Sequence, residues 1–385
     1  MLPFKKRGYQ ELTDEKVYWI WLSSISGIGA RRFYKLLKYF KSPRRLYEAS
    51  KTEAEQASRI LGKKCWGKIA AARNTKTLEK AERILSMPEF SVLTLSSPEY
   101  PPLLKSTYDP PPVLYCKGRP FPSGIPAVAV VGSRRCSGYG RAVARRISCE
   151  LAQAGVAVIS GMARGIDTMA HKGALDAKSG YTAAVFGCGV DIVYPPENKS
   201  LYQTIAERGS LFSEYPPGTG PSAGNFPARN RIISGLANGT LVIEAGQKSG
   251  ALITVDFALE QGREVCAIPG NINSPYSKGT NRLLKEGARV VTSVDDILED
   301  LDITAPVCTS RDSATRSGEA AKTGALDFFE TSVYNALEDG EKGLEELIQI
   351  TNLPPGQLNA ILTFMEIKGI IKQLPGKIFM KQWKA

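Results

Sequence analysis

Apolar residues follow three successive rhythms along the chain. Across residues 15–87 they recur at helical spacing, with Val17, Trp19, Ile20, Leu22 and Ile25 in one run and Phe33, Leu36, Leu37 and Phe40 in the next. From residue 128 the rhythm changes to short β-branched runs separated by helical stretches. These runs predict strands at 128–131, 156–160, 182–186, 210–213, 240–243, 264–268 and 289–291. Because the connections are short, the alternation predicts an α/β fold: one open, mostly parallel, doubly wound sheet that holds ligands at the carboxyl ends of its strands. Beyond residue 325 the rhythm changes again. Phe328, Val333, Tyr334 and Leu337 mark one helix, Leu344, Leu347 and Ile348 a second, and Leu358, Ile361, Leu362 and Met365 a third. A hairpin turning at Pro375-Gly376 follows, which completes the pattern of a winged helix.

Breaks in these rhythms suggest the domain limits. Pro101-Pro102 and the stretch Asp109-Pro110-Pro111-Pro112 precede the sheet, and 302–324 is rich in small and polar residues. The expected organisation is an all-α domain over 1–90, a Rossmann-like domain over 91–301, a linker over 302–324 and a winged helix over 325–385. Within the first domain, Ser26-Gly27-Ile28-Gly29-Ala30-Arg31-Arg32 joins two amphipathic helices. Such a turn is either a helix-hairpin-helix that offers N–H groups to a DNA phosphate or a plain structural hairpin.

The candidate chemistry gathers at strand ends. After the run Val128-Ala129-Val130-Val131 comes Gly132-Ser133-Arg134-Arg135-Cys136-Ser137-Gly138-Tyr139-Gly140, and then a helical pattern. A turn of this kind aims backbone N–H groups and the positive end of a helix dipole at one point, which suits a phosphate, and Arg134 and Arg135 add forked cationic donors. It is neither G-x-G-x-x-G nor a loop closed by Gly-Lys-Ser/Thr, so the dinucleotide and Walker fingerprints are both missing. Further strand ends carry Gly161, Arg164 and Asp167, then Gly187-Cys188-Gly189, then Phe226-Pro227-Ala228-Arg229-Asn230-Arg231, and Glu244 followed by Lys248. Arg134, Arg164, Arg229, Arg231 and Lys248 are expected to converge on one rim. Phe226, among cationic neighbours, is read as an exposed platform for a base rather than as a loop anchor in the core. Asp167, Asp191 and Glu244 suit helix capping or ion pairing as well as acid–base work, and His171 is expected to bond to Asp167 or to backbone.

Charge and cysteine usage narrow the class. The net charge is +12 and the pI about 9.3. Residues 1–90 hold 20 Lys and Arg against 9 Asp and Glu, so a polyanionic partner would feel most of its field from that region. The third domain is near neutral, with 7 Lys and Arg against 8 Asp and Glu over 320–385. Seven cysteines without a C-x-x-C pair point to a reducing, cytoplasmic setting rather than to disulfides or zinc. One histidine makes a histidine metal site or a Ser-His-Asp triad improbable. No membrane span or signal h-region is expected, and no cofactor.

Six ordered blocks together resemble the DNA-processing protein A (DprA/Smf) family. They are Val130 to Arg134; Ser160-Gly161 to Asp167 with Ala170-His171; Gly187-Cys188-Gly189-Val190-Asp191 with Tyr194-Pro195; Ser213-Glu214-Tyr215-Pro216-Pro217; Phe226 to Leu236; and Glu244 to Thr254 with Ile268-Pro269-Gly270. The flanking regions are similar to that family's N-terminal helical (helix-hairpin-helix/SAM-like) domain and C-terminal winged helix. The resemblance implies a non-enzymatic, homodimeric protein that binds single-stranded DNA, protects incoming strands in natural transformation and loads the RecA recombinase. It further implies Gly132, Ser133 and Arg134 as a phosphate clamp, Gly161 and Arg164 as a second rim, and Phe226, Arg229, Asn230 and Arg231 as a stacking and phosphate element. The chain departs from some relatives at Pro221-Ser222-Ala223-Gly224-Asn225, which carries no cation.

Two other readings stand beside it. A Rossmann-like sheet with a strand-end glutamate is similar to enzymes that cleave nucleotide phosphoribosyl bonds, although Leu236 to Glu244 lacks their Pro-Gly-Gly-x-Gly-Thr type of loop. A transcriptional regulator acting through the winged helix is the third, and the near-neutral third domain argues against it.

Overall fold

The computed structural model describes residues 14–303, 328–337, 340–351, 353–368, 370–374 and 376–381. The chain forms two compact units that divide at Cys308. In the first, β1 (Ser91–Thr94), β2 (Val113–Gly118), β3 (Ala127–Val131), β4 (Ala157–Ser160), β5 (Thr182–Phe186), β6 (Ser210–Ser213), β7 (Gly239–Val242), β8 (Glu264–Ala267) and β9 (Arg289–Val290) make one sheet. Its order is β1-β2-β6-β5-β4-β3-β7-β8-β9. From β6 to β9 all neighbours are parallel, while β1 and β2 add an antiparallel edge. Seven strands fall within a residue of their expected limits. β1 and β2 were not anticipated from the pattern, because both are set among prolines and precede the helix-separated repeat.

The topology itself locates a crevice. The chain winds from β3 outward to β6 and then returns to place β7 against the other side of β3, so the loops after β3 and β7 diverge at the carboxyl edge. Side chains of β3 show why this strand sits at the centre. Ala127, Ala129 and Val131 enter one core layer and Val128 and Val130 the other, as the two-residue period of a strand covered on both faces requires.

The helical region packs directly onto the sheet within the first compact unit. Trp19, Phe33 and Leu36 share a core with Tyr115, Phe186 and Tyr202 of the sheet unit, and all six are buried. At the Gly27-Ile28-Gly29 turn two cations are spent on carbonyls. Arg32 Nη1 donates to Gly27 O at 2.6 Å and Lys68 Nζ to Ser26 O at 3.1 Å.

The second unit has helices Phe328–Ala336, Leu344–Thr351 and Pro355–Ile367 with β10 (Lys342–Gly343), β11 (Ile371–Leu374) and β12 (Ile378–Lys381). β12 lies between β10 and β11, and Val333, Leu347, Leu358, Leu362 and Phe379 fill the core. Three helices and a small antiparallel sheet match the expected winged helix. Apart from residues 302 and 303, the expected linker over 302–324 lies outside the described residues, as does Cys308.

Candidate nucleic-acid interface

The loop after β3 reaches the Gly138–Gln153 helix, and that helix already has an anion at its N-terminus. Ser137, the N-cap, accepts from Gly140 N at 3.0 Å and donates its hydroxyl to Glu244 Oε1 at 2.5 Å, while Ser137 N donates to Glu244 Oε2 at 2.8 Å. Ser133 N donates to Glu244 O at 2.8 Å. The expected phosphate position at the helix start is therefore filled by a buried carboxylate of the chain itself. What remains open to a ligand lies earlier in the loop, where Arg134 and Arg135 are exposed and, among the described residues, form no ion pair. Gly165, at φ +77°, packs against the carbonyls of Ser133 and Arg134 and lets the β4 loop approach them.

Beside this loop opens a cleft of about 660 Å³. Gly132, Ser133, Arg134 and Arg135 form one wall, Phe226, Arg229 and Asn230 another, and Ser249, Gly250 and Thr254 a third, with Asp167 in the floor. Phe226 stands in the first turn of the Asn225–Gly235 helix and is half-buried, so it is neither a bare platform nor a core residue. Its ring leans on Tyr194 with centroids 5.2 Å apart and planes at 34°, and the guanidinium carbons of Arg134 and Arg229 lie 5.7 and 6.0 Å from its centroid. Gly187 makes room for it, since a Cβ there would come within 2.9 Å of the ring. Phe226→Ala should weaken oligonucleotide binding by about 1–3 kcal/mol with an unchanged salt slope, because stacking releases no counterions. Titrations of both proteins at several salt concentrations check this; an unchanged affinity with a lowered melting temperature would assign the ring to packing alone.

The arginines do not converge as expected. Arg229 and Arg231 lie two residues apart on one helix, about 200° around its axis, so they face different ways. Arg229 is 3% exposed and donates Nη1 to Gly161 O at 2.7 Å and to Val185 O. Burial pulls its pKa down to about 10, against the favourable charge of Asp167, and leaves it cationic at neutral pH. Arg231 turns away from the cleft altogether. It donates to Glu214 and to Asp109 O and is 8% exposed, so it is a structural ion pair and not a phosphate ligand. Gly161 proves to be space for a side chain, since a Cβ would lie 2.7 Å from the Arg229 guanidinium carbon. Arg164 is exposed, paired with Glu197, and lines a small recess behind Phe226 with Tyr194 and Arg134. Lys248 is exposed and its side chain is not in the cleft wall, although Ser249 and Gly250 beside it are. Asn230 bridges, accepting from Arg229 Nε at 3.2 Å and reaching Gly250 O at 3.5 Å.

Both titratable candidates of the next helix are buried and hydrogen-bonded within the chain. Asp167 accepts from Gly161 N at 3.2 Å and Ala163 N at 3.3 Å, and burial raises its pKa to about 6 in spite of Arg229. His171 is fully buried and pairs Nδ1 with Thr182 Oγ1 at 2.7 Å, not with Asp167. Burial, reinforced by Arg229, lowers its pKa to about 3, which keeps it neutral. Among the described residues no group of His, Cys, Asp and Glu is placed to hold a metal, and no helix is long and apolar enough to cross a membrane. Sequence reasoning named Glu244 as suited to helix capping without pairing it with Ser137, and it passed over Tyr194 as the ring partner of Phe226.

The sequence model of DNA recombination-mediator protein A matches residues 91–302, more than half of the chain, and the DprA winged helix domain matches 319–377. The chain belongs to the DNA recombination-mediator protein A family. Protein Smf of Synechocystis is 32% identical over 401 aligned residues, which cover 96% of this chain and 99% of that protein. The X-ray structure of DNA processing protein A (DprA) from Streptococcus pneumoniae is 36% identical and covers 74% of this chain and 97% of its own, with a TM-score of 0.65. A structure concerned with the single-stranded DNA binding mode of DNA processing protein A from Helicobacter pylori is 30% identical and covers 55% of this chain and 95% of that one, at a TM-score of 0.49. Family membership thus agrees with the doubly wound sheet and the winged helix already described.

Proposed function

We propose that the strand-end cleft binds single-stranded DNA and that the protein works without catalysis, as a homodimer that protects incoming strands and passes them to RecA during natural transformation. The observation that carries the DNA reading is the pairing of unneutralised arginines with a half-bared ring. Arg134 and Arg135 face solvent in the wall of a long open cleft, and Phe226 lies against one of them. Cations grip a backbone and rings stack unpaired bases, a combination that suits single strands of any sequence. The family's description as a recombination mediator is in line with this reading. Cytoplasmic residence fits thiols that are unpaired among the described residues.

Glu244 weighs against the nucleotide-hydrolysing alternative. Its carboxylate is bonded to both donors of Ser137 and fills the helix N-terminus, where a free nucleotide's phosphate would otherwise sit. A mobility-shift comparison of a single-stranded oligonucleotide, its duplex and free nucleotides tests the proposal. The single strand should bind most tightly, and with two phosphates held by Arg134 and Arg135 the slope of log K against log salt should be about −1.4. Equal affinity for the duplex at matched length and salt would overturn it.

A further inference from the structure

The described surface has a second place where an exposed ring meets unneutralised cations. Tyr108 is 83% exposed, and the Arg31 guanidinium carbon lies 5.5 Å from its ring centroid. Arg31 begins a stripe on the Ala30–Phe40 helix, where Lys35 and Lys38 follow at intervals of four and three residues on the same face. All three are exposed and, among the described residues, none forms an ion pair. A single exposed tyrosine on a surface is ordinary. This one is held on a rigid base, because the two residues after it are both pinned. Arg231 Nη1 donates to Asp109 O at 2.8 Å, and Tyr34 Oη donates to Pro110 O at 2.7 Å.

Those pins also fix where the ring stands relative to the cleft. β2 runs antiparallel to β6 and pairs Tyr115 with Ser213, so the chain entering β2 at Val113 lies at the carboxyl edge of the parallel strands. That is the edge at which the cleft opens. Arg231, which grips Asp109, sits five residues along the Asn225–Gly235 helix from Phe226, a rise of about 7.5 Å. The two ring-and-cation clusters are therefore joined by one helix and one ion pair.

We propose that Tyr108 and the Arg31, Lys35 and Lys38 stripe form a second single-stranded nucleic-acid contact, which takes the strand after it leaves the cleft. The proposal rests on the reading of the cleft as a DNA site. It assigns Arg231 the task of holding the two contacts in register.

Fluorescence anisotropy with the full chain and two oligothymidylates tests it, one of about six nucleotides that only the cleft can fill and one of about 25 nucleotides. Tyr108→Ala should weaken the long oligonucleotide about tenfold and leave the short one unchanged, Tyr108→Phe should restore the loss, and Arg31→Ala with Lys35→Ala should reproduce it. An unchanged affinity for the long oligonucleotide overturns the proposal and leaves the stripe to an acidic protein partner. An equal loss at both lengths overturns it as well, since Tyr108 would then act through the cleft. Arg134→Ala serves as the control for the cleft and weakens both lengths. If it weakens neither, the cleft assignment falls, while the Tyr108 comparison still decides whether its own surface holds DNA.

Discussion

Arg231→Ala should lower the stability of the first unit by about 3–5 kcal/mol while the folded protein keeps its affinity for a short oligonucleotide. The Arg231 side chain is 9% exposed, Glu214 is 16% exposed, and the cation also holds the carbonyl and carboxylate of Asp109. Burial already raises the Glu214 pKa, and Arg231 is the group that pulls it back down. Removing the guanidinium strands a buried carboxylate without a partner, which is the costly way to break such a pair. For a unit of this size the loss corresponds to a fall in melting temperature of about 5–8 °C. Thermal unfolding of the variant measures it, and the double variant Arg231→Met with Glu214→Leu should recover much of the loss because both charges leave together. A melting temperature unchanged in the single variant would show that the pair is not holding the structure.

The second large effect is expected on binding. Arg134→Ala should weaken single-strand affinity by about 1.5–3 kcal/mol, roughly 10- to 150-fold, with little change in stability because the side chain is exposed. It removes one phosphate contact and should therefore lower the magnitude of the salt slope by about 0.7. Arg134→Lys should recover the slope and only part of the affinity, since an ammonium keeps the charge but loses the planar fork that lies against Phe226. Binding isotherms at three salt concentrations separate the two quantities. Wild-type affinity in Arg134→Ala would remove this loop from the interface.

What could be read from the sequence was whatever depends on period. The run Val128 to Val131 announces a strand covered on both faces, and the structure buries every one of its side chains. What escaped depends on partners far away in the chain. Ser137 and Glu244 are 107 residues apart, so no local pattern says that one caps its helix with the other's carboxylate. The triplet Arg229-Asn230-Arg231 looks like one basic element in a line of text. Coiled into a helix it cannot be one, and helical geometry alone would have separated the two arginines had the segment been recognised as helical from residue 225. Phe226 was hard to assign for a related reason. Its neighbours in sequence are cationic, whereas the ring that half covers it, Tyr194, comes from a different strand end.

The core shared between the helical region and the sheet bears on how such a protein could be altered by recombination of gene segments. Cutting the chain near residue 90 would uncover Tyr115, Phe186 and Tyr202, which the helical region helps to bury. Among the described residues, 17–85 thus help to seal one face of the sheet, so a swap of this region has to carry along the apolar side chains that meet Tyr115, Phe186 and Tyr202.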